Sequence, residues 1–533
     1  MRCVLLTCLV TASLLAQHHE GAHPPAEKPV VLYPGLGIWR HPIATKSPEA
    51  QKFFDQGLNL LYGFNRYEAL RSFRKAVELD PTAAMAYWGV GMSLAPYINM
   101  DGDPTYDQKA SCAAIGEGLK VAGAPARDRA YLEAAAKRCP DDQPKAYIEA
   151  MRALAARYPD DLDAATFYAE SLMIPVRWHW YDAEGKAAEG MPEAERTLEE
   201  VLRRWPAHPG ANHFYIHAVE SSRTPERAIA SAQRLMGVVP AAGHMVHMPG
   251  HIWLVLGDWE MAAAVNDRAA AVDRQYFAQT GVEGAYTMYY VHNLHFLTYA
   301  RWMQGNRAQS MRAAADMTAA IAPMMGVIPE MADAFNAEAA FGLVRFNDWD
   351  AILKAPQPKP ELRTSLFVWR YSRALALAAR GDRAGAAKEQ AALEELRKGA
   401  PADAQWGLSK FSDVAALASE VVAARLAPSP AEAVPHWRRA VASQDALTYD
   451  EPPDWYYPLR ESLGAALLRA GNAAEAERVF RDGVNRSPRN GRMLFGLMES
   501  LKAQQKIDEA AWVRKEFEAA WAKADIRLKI EEL

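Results

Sequence analysis

The chain is poor in the features that mark several common protein classes. Its 533 residues include only four cysteines, and its 60 basic and 65 acidic side chains nearly cancel. No run of lysine and arginine forms a basic stripe, which argues against nucleic-acid binding. Beyond the N-terminus no stretch is apolar for long enough to cross a bilayer. The composition therefore favours a soluble protein over a nucleic-acid-binding or membrane-spanning one.

Several familiar signatures of enzymatic sites are also absent. The chain has no zinc-ribbon cysteine pattern, no C-x-x-C-H haem site and no G-x-S-x-G nucleophile motif. It has neither a P-loop nor a dinucleotide-binding glycine run after a strand. These absences make an enzyme of those classes improbable and leave open whether the protein is an enzyme, with a metalloenzyme as the possibility to test.

The N-terminus predicts export. The sequence MRCVLLTCLVTASLLAQ contains one arginine, then an apolar run from Cys3 to Leu15, then Ala16, which is the layout of a secretory signal peptide. We expect residues 1–16 to be removed and the protein to be periplasmic or secreted. Residues 17–45 contain HHEGAHPPAEKP and little periodicity, which predicts a flexible leader.

Two cysteines remain after the predicted cleavage. Cys112 and Cys139 lie on either side of the turn signal AGAPA, in two stretches that resemble helices. A pair of adjacent helices in an oxidising compartment would permit a disulfide. Two unpaired buried cysteines are an equally good interpretation.

From Ser47 onward the pattern is continuously helical and repetitive. In residues 53–81 the order of small, aromatic and proline positions is Gly57, Ala69, Phe73, Ala76 and Pro81. This spacing resembles the tetratricopeptide repeat, a helix-turn-helix unit of about 34 residues. The same offsets recur near the C-terminus. We therefore predict an all-α fold, an α-α superhelix of stacked helical hairpins over residues 46–533, with clear repeats at 50–96 and 457–520.

Between these ends the repeats are degenerate. Segments 97–125 and 174–192 break the period and are interpreted as insertions. Four short sequences resemble the turn before a repeat's second helix; they are GDW (257–259), GNR (305–307), NDW (347–349) and GDR (381–383). Each predicts a turn between two helices.

Half of the fourteen histidines lie between residues 213 and 295, within the His-rich segment 205–300. They are His213, His217, His244, His247, His251, His292 and His295. Within each group the spacing is three or four residues, so the imidazoles share a helix face. Aligned on the tetratricopeptide repeat, they occupy positions 2, 5 and 9 of the first helix in three successive units. In that family these positions line the concave groove, so the resemblance implies that the histidines face it together.

Seven grouped histidines make a metal site one interpretation. Imidazole suits zinc, copper, iron and nickel, and the sequence does not choose among them. The candidate carboxylate ligands are Glu220, Asp273 and Glu283, and none has a compelling spacing. Pro249 complicates the helical face, because a helix that starts there would leave His244 and His247 in a loop.

The other interpretation is a groove that binds a protein or peptide partner. The groove-lining aromatic residues would then be Tyr215, Trp253, Tyr286, Tyr289 and Tyr290. The segments GANHFYIHAVESS, HMVHMPGHIWLVLGDW and EPPDWYYPLRESLGAALLRAG resemble a group of exported bacterial tetratricopeptide proteins, which implies fold and export and leaves the activity open. We carry two hypotheses: an exported scaffold that binds a partner, and a metal-binding protein or metalloenzyme.

Overall fold

The structure is a computed structural model that describes residues 28–99, 103, 105–281, 284 and 286–533. The predicted signal peptide, residues 17–27 of the predicted leader and Glu283 lie outside this part of the chain. Regular structure in the described residues is almost entirely α-helical, which confirms the predicted all-α class. Among the helices searched, none is both long enough and apolar enough to cross a lipid bilayer.

Helices of the N-terminal part follow one another through short connections and pack against their neighbours. They are α1 (Pro48–Tyr62), α2 (Arg66–Leu79), α3 (Ala84–Leu94), α4 (Gln108–Lys120), α5 (Ala126–Ala135), α6 (Pro144–Arg157), α7 (Leu162–Met173) and α8 (Met191–Arg204). Helices α1 and α2 cross closely, because a Cβ atom on Gly57 would lie 2.8 Å from the ring of Phe73. A small residue at this position lets the two helices of a repeat approach, as the tetratricopeptide pattern predicts.

The middle of the chain carries the histidines. Its helices are α9 (Pro209–Glu220), α10 (Ile229–Val238), α11 (Gly243–His247), α12 (Pro249–Val255), α13 (Trp259–Thr280), α14 (Thr287–Met303), α15 (Arg307–Ile321), α16 (Pro329–Arg345) and α17 (Trp349–Lys354). Pro249 does begin a helix, so His244 and His247 lie on the one-turn helix α11 before it. The loop expected in that case is replaced by this short helix.

The C-terminal part continues the helical pattern. It contains α18 (Arg363–Ala379), α19 (Arg383–Gly399), α20 (Phe411–Leu426), α21 (Pro430–Asp445), α22 (Arg460–Arg469), α23 (Ala473–Arg486), α24 (Gly491–Ala503) and α25 (Ile507–Ala520). Two short antiparallel strands, β1 (Gln405–Trp406) and β2 (Ser409–Lys410), form a hairpin between α19 and α20. The fold is thus a tetratricopeptide-like solenoid of helical hairpins.

All four predicted turn sequences lie between two helices, and in each case the following helix begins at the third residue of the sequence. In GDW, Gly257 has a φ of 70°, a region that favours glycine. Asp258 then caps α13, because its side chain accepts a hydrogen bond from the backbone N–H of Met261. The turn chemistry that the sequence shows is the chemistry that starts the helices.

The two predicted insertions have structure of their own. Segment 97–125 contains α4, which packs on α3, and a disulfide links Cys112 of α4 to Cys139. Segment 174–192 is a loop closed by a bridge between Tyr181 and Ala187. It places Trp180 beside the histidine-bearing helices.

Both ends of the described chain fold against its middle. Near the N-terminus, the N–H of Ala241 donates to the carbonyl oxygen of Gly35 at 3.0 Å. From the C-terminal repeats, the carbonyl oxygen of Arg489 accepts a hydrogen bond from Trp259 Nε1 at 3.2 Å, and Asp525 accepts one from the N–H of Arg307 at 2.7 Å. The helices that carry the histidines are therefore enclosed between the two ends of the solenoid.

Candidate metal centre

Helix α9 presents His213 and His217 on one face, and both side chains are buried. His213 Nδ1 lies 2.5 Å from the carbonyl oxygen of Tyr62. Because a carbonyl oxygen only accepts, this nitrogen carries the proton and Nε2 keeps its lone pair. His217 Nδ1 lies 2.9 Å from Glu220 Oε1, which fixes the same tautomer when Glu220 is ionised. Both residues thus turn an unprotonated Nε2 away from α9.

Helices α11 and α12 contribute the next three imidazoles. His247 Nδ1 lies 2.6 Å from Asn266 Oδ1. Asn266 uses its amide nitrogen to donate to the carbonyl oxygen of Ala262, so its oxygen is the acceptor and His247 Nδ1 is the donor. His251 Nδ1 contacts two carboxylates, Glu220 Oε2 at 2.8 Å and Glu451 Oε2. His247 and His251 are therefore oriented through their Nδ1 atoms, as metal-ligating histidines usually are.

Helix α14 adds His292. Its ring centroid lies 4.8 Å from that of His247 and 5.8 Å from that of His251. His295, one turn further, is apart from the other six: its Nε2 lies 3.7 Å from Glu338 Oε2 and its ring meets the edge of Phe335.

Six of the seven predicted histidines form two triads, which we name triad A and triad B. Triad A consists of His213, His217 and His244, and triad B consists of His247, His251 and His292. Within each triad the ligand atoms all lie within 4.8 Å of one another. In triad A, the Nε2 atoms of His213 and His244 are 3.2 Å apart. Two nitrogens bound at about 2.0–2.1 Å to a tetrahedral ion lie about 3.3 Å apart, so this spacing fits a shared ion.

The two triads adjoin each other. The ring of His244 in triad A lies 5.4 Å from that of His247 in triad B, and the ring of His217 lies 5.4 Å from that of His251. Glu220 connects them chemically, because one of its oxygens contacts His217 Nδ1 and the other contacts His251 Nδ1. A single carboxylate thus orients one imidazole in each triad.

Burial keeps most of these imidazoles neutral. The pKa values of His213, His244, His247 and His292 lie well below the usual range, first because of burial and then because of the neighbouring histidines. A neutral imidazole is the form that binds a metal ion. The site therefore provides unprotonated nitrogens at ordinary pH.

His251 is the exception. Burial alone would lower its pKa, but the carboxylates of Glu220 and Glu451 outweigh burial and raise it to about 10. Its Nε2 then donates to His247 Nε2, 2.8 Å away. Without this proton, the lone pairs of His247 Nε2 and His251 Nε2 would face each other. A metal ion bound in triad B would replace the proton between these two nitrogens.

A cavity of about 530 Å³ opens beside the triads. His217 and His244 of triad A line it together with His251 and His292 of triad B, whereas His213 and His247 lie deeper. Its other walls come from distant parts of the chain: Tyr97, Trp178, Phe335, the turn between β1 and β2, and residues 449–452. The volume fits a small molecule.

Of the five predicted groove aromatics, Tyr289 lines this cavity, and the other four lie outside it. Tyr215 is held away because its hydroxyl donates to Glu199. Trp253 is buried in the hydrophobic core, and Tyr290 packs at the edge of Phe277. Tyr286 supports the site indirectly, since its hydroxyl accepts a hydrogen bond from the backbone N–H of His244.

Of the predicted carboxylate ligands in the described residues, Glu220 lies at the histidine cluster and Asp273 does not. Glu220 lies between the triads. Asp273 lies elsewhere, accepting a hydrogen bond from Asn293 at 2.6 Å, and burial raises its pKa to about 8. Glu451 was missed by the sequence analysis although its carboxylate contacts His251. No repeat spacing relates the two residues, and the acidic EPPDW segment was the only local signal.

A further cluster with metal-ligand spacing lies outside the two triads, and hydrogen bonds within the protein already occupy its carboxylate. His41, Asp161 and Asp163 have atoms close enough to share an ion. The carboxylate of Asp163 already accepts hydrogen bonds from His41 Nδ1, the Tyr62 hydroxyl and Trp39 Nε1. This network ties the segment before α1 to α7, and we assign it a structural role.

The architecture and the two triads define an all-α, tetratricopeptide-like chain with a histidine-lined cavity. Comparison with known proteins does not narrow this class: no protein-family model and no curated protein matches the chain. Among solved structures, that of yeast Tom70 is similar over 89% of this chain and 93% of Tom70, at 13% sequence identity and a TM-score of 0.33. A likeness at this level supports no conclusion about function.

Proposed function

We propose that this protein binds two transition-metal ions, one in triad A and one in triad B, beside a cavity that receives a small molecule. The observation that carries the proposal is the convergence of six imidazoles, of which His213, His217, His247 and His251 are oriented from behind through Nδ1. Tyr62, Asn266 and Glu220 accept hydrogen bonds from Nδ1 atoms and leave the Nε2 atoms for an ion. Zinc, copper, iron and nickel all accept such ligands.

Three imidazoles leave a coordination position free on each ion. Both triads have members that line the cavity, so this position faces the space where a small molecule would lie. A bound ion there supplies Lewis acidity or an activated water, which is the requirement for a metalloenzyme. The ions in adjoining triads would act on the same cavity.

We further propose that the protein is exported, in keeping with its resemblance to exported bacterial tetratricopeptide proteins. The apolar N-terminal sequence supports this, and so does the disulfide between Cys112 and Cys139, because disulfides persist in oxidising compartments. N-terminal sequencing of the protein recovered from a periplasmic fraction tests the proposal. A chain beginning near residue 17 is expected, and one that retains Met1 in the cytoplasm would contradict it.

Elemental mass spectrometry of tag-free protein, purified without added metal or chelator, tests the metal proposal. About two equivalents of a transition metal are expected per chain. His247→Ala removes a ligand of triad B and should lower the content to about one equivalent, and His213→Ala should do the same through triad A.

His436→Ala is the matched control, because His436 lies at the surface with Glu420 and outside the cavity. It should leave the metal content unchanged. Wild-type protein that contains no metal and takes up none from solution would contradict the proposal. Equal loss in all three variants would also contradict it, since it would indicate unfolding or adventitious binding.

A second proposal is that the mouth of the cavity binds an exported protein or peptide partner. Met331 lines the cavity and is 36% exposed, so apolar surface is available there. Met331→Glu should abolish capture of such a partner while the metal content stays constant. Capture that is unaffected by this change would exclude the mouth as the docking surface.

A further inference from the structure

One wall of the cavity is acidic. Its carboxylates are those of Asp103, Glu330, Glu338, Asp450 and Asp454. Among the described lining residues there is no lysine or arginine. Arg66 lies close by, but its guanidinium is behind the ring of Tyr97 and donates to the backbone carbonyls of Ser93 and Ala95. An anionic ligand would therefore find no cationic side chain on this wall.

Glu338 of α16 differs from the other carboxylates of this wall. It is 7% exposed and lines the cavity. The nearest imidazole nitrogen, His295 Nε2, is 3.7 Å from its Oε2, which is longer than a hydrogen bond, and no described residue donates one to it. A buried carboxylate without a donor is unfavourable by itself. Its position indicates that the missing donor comes from a ligand.

The remaining carboxylates are partly satisfied within the protein. Asp103 accepts a hydrogen bond from the Tyr97 hydroxyl at 2.7 Å, and Asp454 accepts one from the backbone N–H of Ser409 at 3.1 Å. Asp454 also lies close to Asp450. Glu338 is therefore the buried carboxylate of this wall without a hydrogen-bond donor among the described residues.

Aromatic side chains stand beside this acidic wall. Phe335 lies one turn from Glu338 on α16, and Trp406 and Tyr289 line the same cavity. Aromatic faces attract organic cations and also pack against apolar groups. The combination of aromatic walls with a buried carboxylate that lacks a hydrogen-bond donor matches a molecule that has a positive head and an apolar body.

We propose that the cavity binds a small organic cation, an amine with an aromatic or apolar body, whose ammonium group pairs with Glu338. The proposal rests on the proposed function, because members of both triads line the same cavity. The amine donates the hydrogen bonds that Glu338 lacks. Carboxylates of similar size are disfavoured by the same wall.

Isothermal titration calorimetry of metal-loaded protein tests this with three probes of similar size: phenethylamine, 2-phenylethanol and 3-phenylpropionate. Phenethylamine should bind at least about tenfold more tightly than the other two, since a hydrogen bond to a charged group is worth roughly a factor of ten or more. Glu338→Gln should weaken phenethylamine binding about tenfold and leave 2-phenylethanol unchanged.

The matched control is Glu200→Gln, an exposed carboxylate that pairs with Arg203 and lies outside the cavity. It should change phenethylamine binding by less than about threefold, as exposed ion pairs do. Equal or tighter binding of 3-phenylpropionate, or no effect of Glu338→Gln, would overturn the proposal. Metal content measured on the same samples separates the two proposals. If the protein contains metal but does not bind phenethylamine, only the organic-cation proposal is refuted. If the protein contains no metal, the proposed function is refuted.

Discussion

Replacing Glu220 by glutamine should weaken both metal sites at once. In the wild-type chain one of its oxygens accepts a hydrogen bond from His217 Nδ1, and the other lies 2.8 Å from His251 Nδ1. A glutamine has one acceptor oxygen and one donor nitrogen. Whichever imidazole meets the amide nitrogen must take the other tautomer, with its proton on Nε2 where the ion would bind. The remaining imidazole loses the charge that strengthens it as a ligand.

The expected loss of metal affinity follows from the role of residues that hydrogen-bond to metal-ligating histidines. Loss of a partner behind a ligating histidine costs about 10–100-fold in metal affinity, which is about 1.4–2.7 kcal/mol per site. Competition with a coloured chelator measures the affinity, and circular dichroism shows whether the helices persist. Glu199→Gln is the control, since Glu199 accepts from Tyr215 outside the cavity. Unchanged affinity of both ions in folded Glu220→Gln protein would refute the reasoning.

Three further predictions concern stability. Gly257→Ala should lower the free energy of unfolding in urea by at least about 1 kcal/mol more than Gly381→Ala does. Both glycines have a positive φ, but only at Gly257 would the new Cβ meet a backbone oxygen, at 1.9 Å. Equal losses in the two variants would contradict the close contact with the C-terminal repeats. Cys139→Ser should lower the free energy of unfolding by about 2–4 kcal/mol, and reducing agent should then have no further effect. Burial lowers the pKa of His41, but Asp163 outweighs burial and raises it. The charged imidazole of His41 therefore stabilises the folded state fully at pH values below the pKa of the unfolded chain. This stabilisation is lost as the pH rises through the pKa of the folded chain. The destabilisation by His41→Asn should therefore be larger at about pH 6 than at about pH 9, and a difference that grows with pH would contradict the assignment.

The repeat pattern predicted the fold well because it records local packing. The glycine that faces Phe73 and the four turn sequences are each decided by neighbours a few residues away. The shared register of the histidines likewise predicted that three helical groups would face one another, and the structure brings six of those imidazoles into two triads. In both cases the information lies within one or two repeats.

Contacts between distant repeats could not be predicted in the same way. Glu451 reaches His251 only because the C-terminal repeats fold back against the middle of the chain, and no periodicity specifies that closure. The same closure turned the expected open groove into a cavity, so Tyr215 and Trp253 lie outside the surface they were predicted to line. Glu338 stands out only once the cavity is known, because its importance comes from the donor that it lacks.

The most direct test of the two-ion account is a crystal structure of metal-loaded protein with anomalous diffraction recorded at the absorption edge of the bound metal. Two anomalous peaks are expected, one within about 2.0–2.1 Å of the ligand nitrogens of His213, His217 and His244, and the other equally close to those of His247, His251 and His292. No peak in either triad, or a peak bound only by surface residues, would contradict the account.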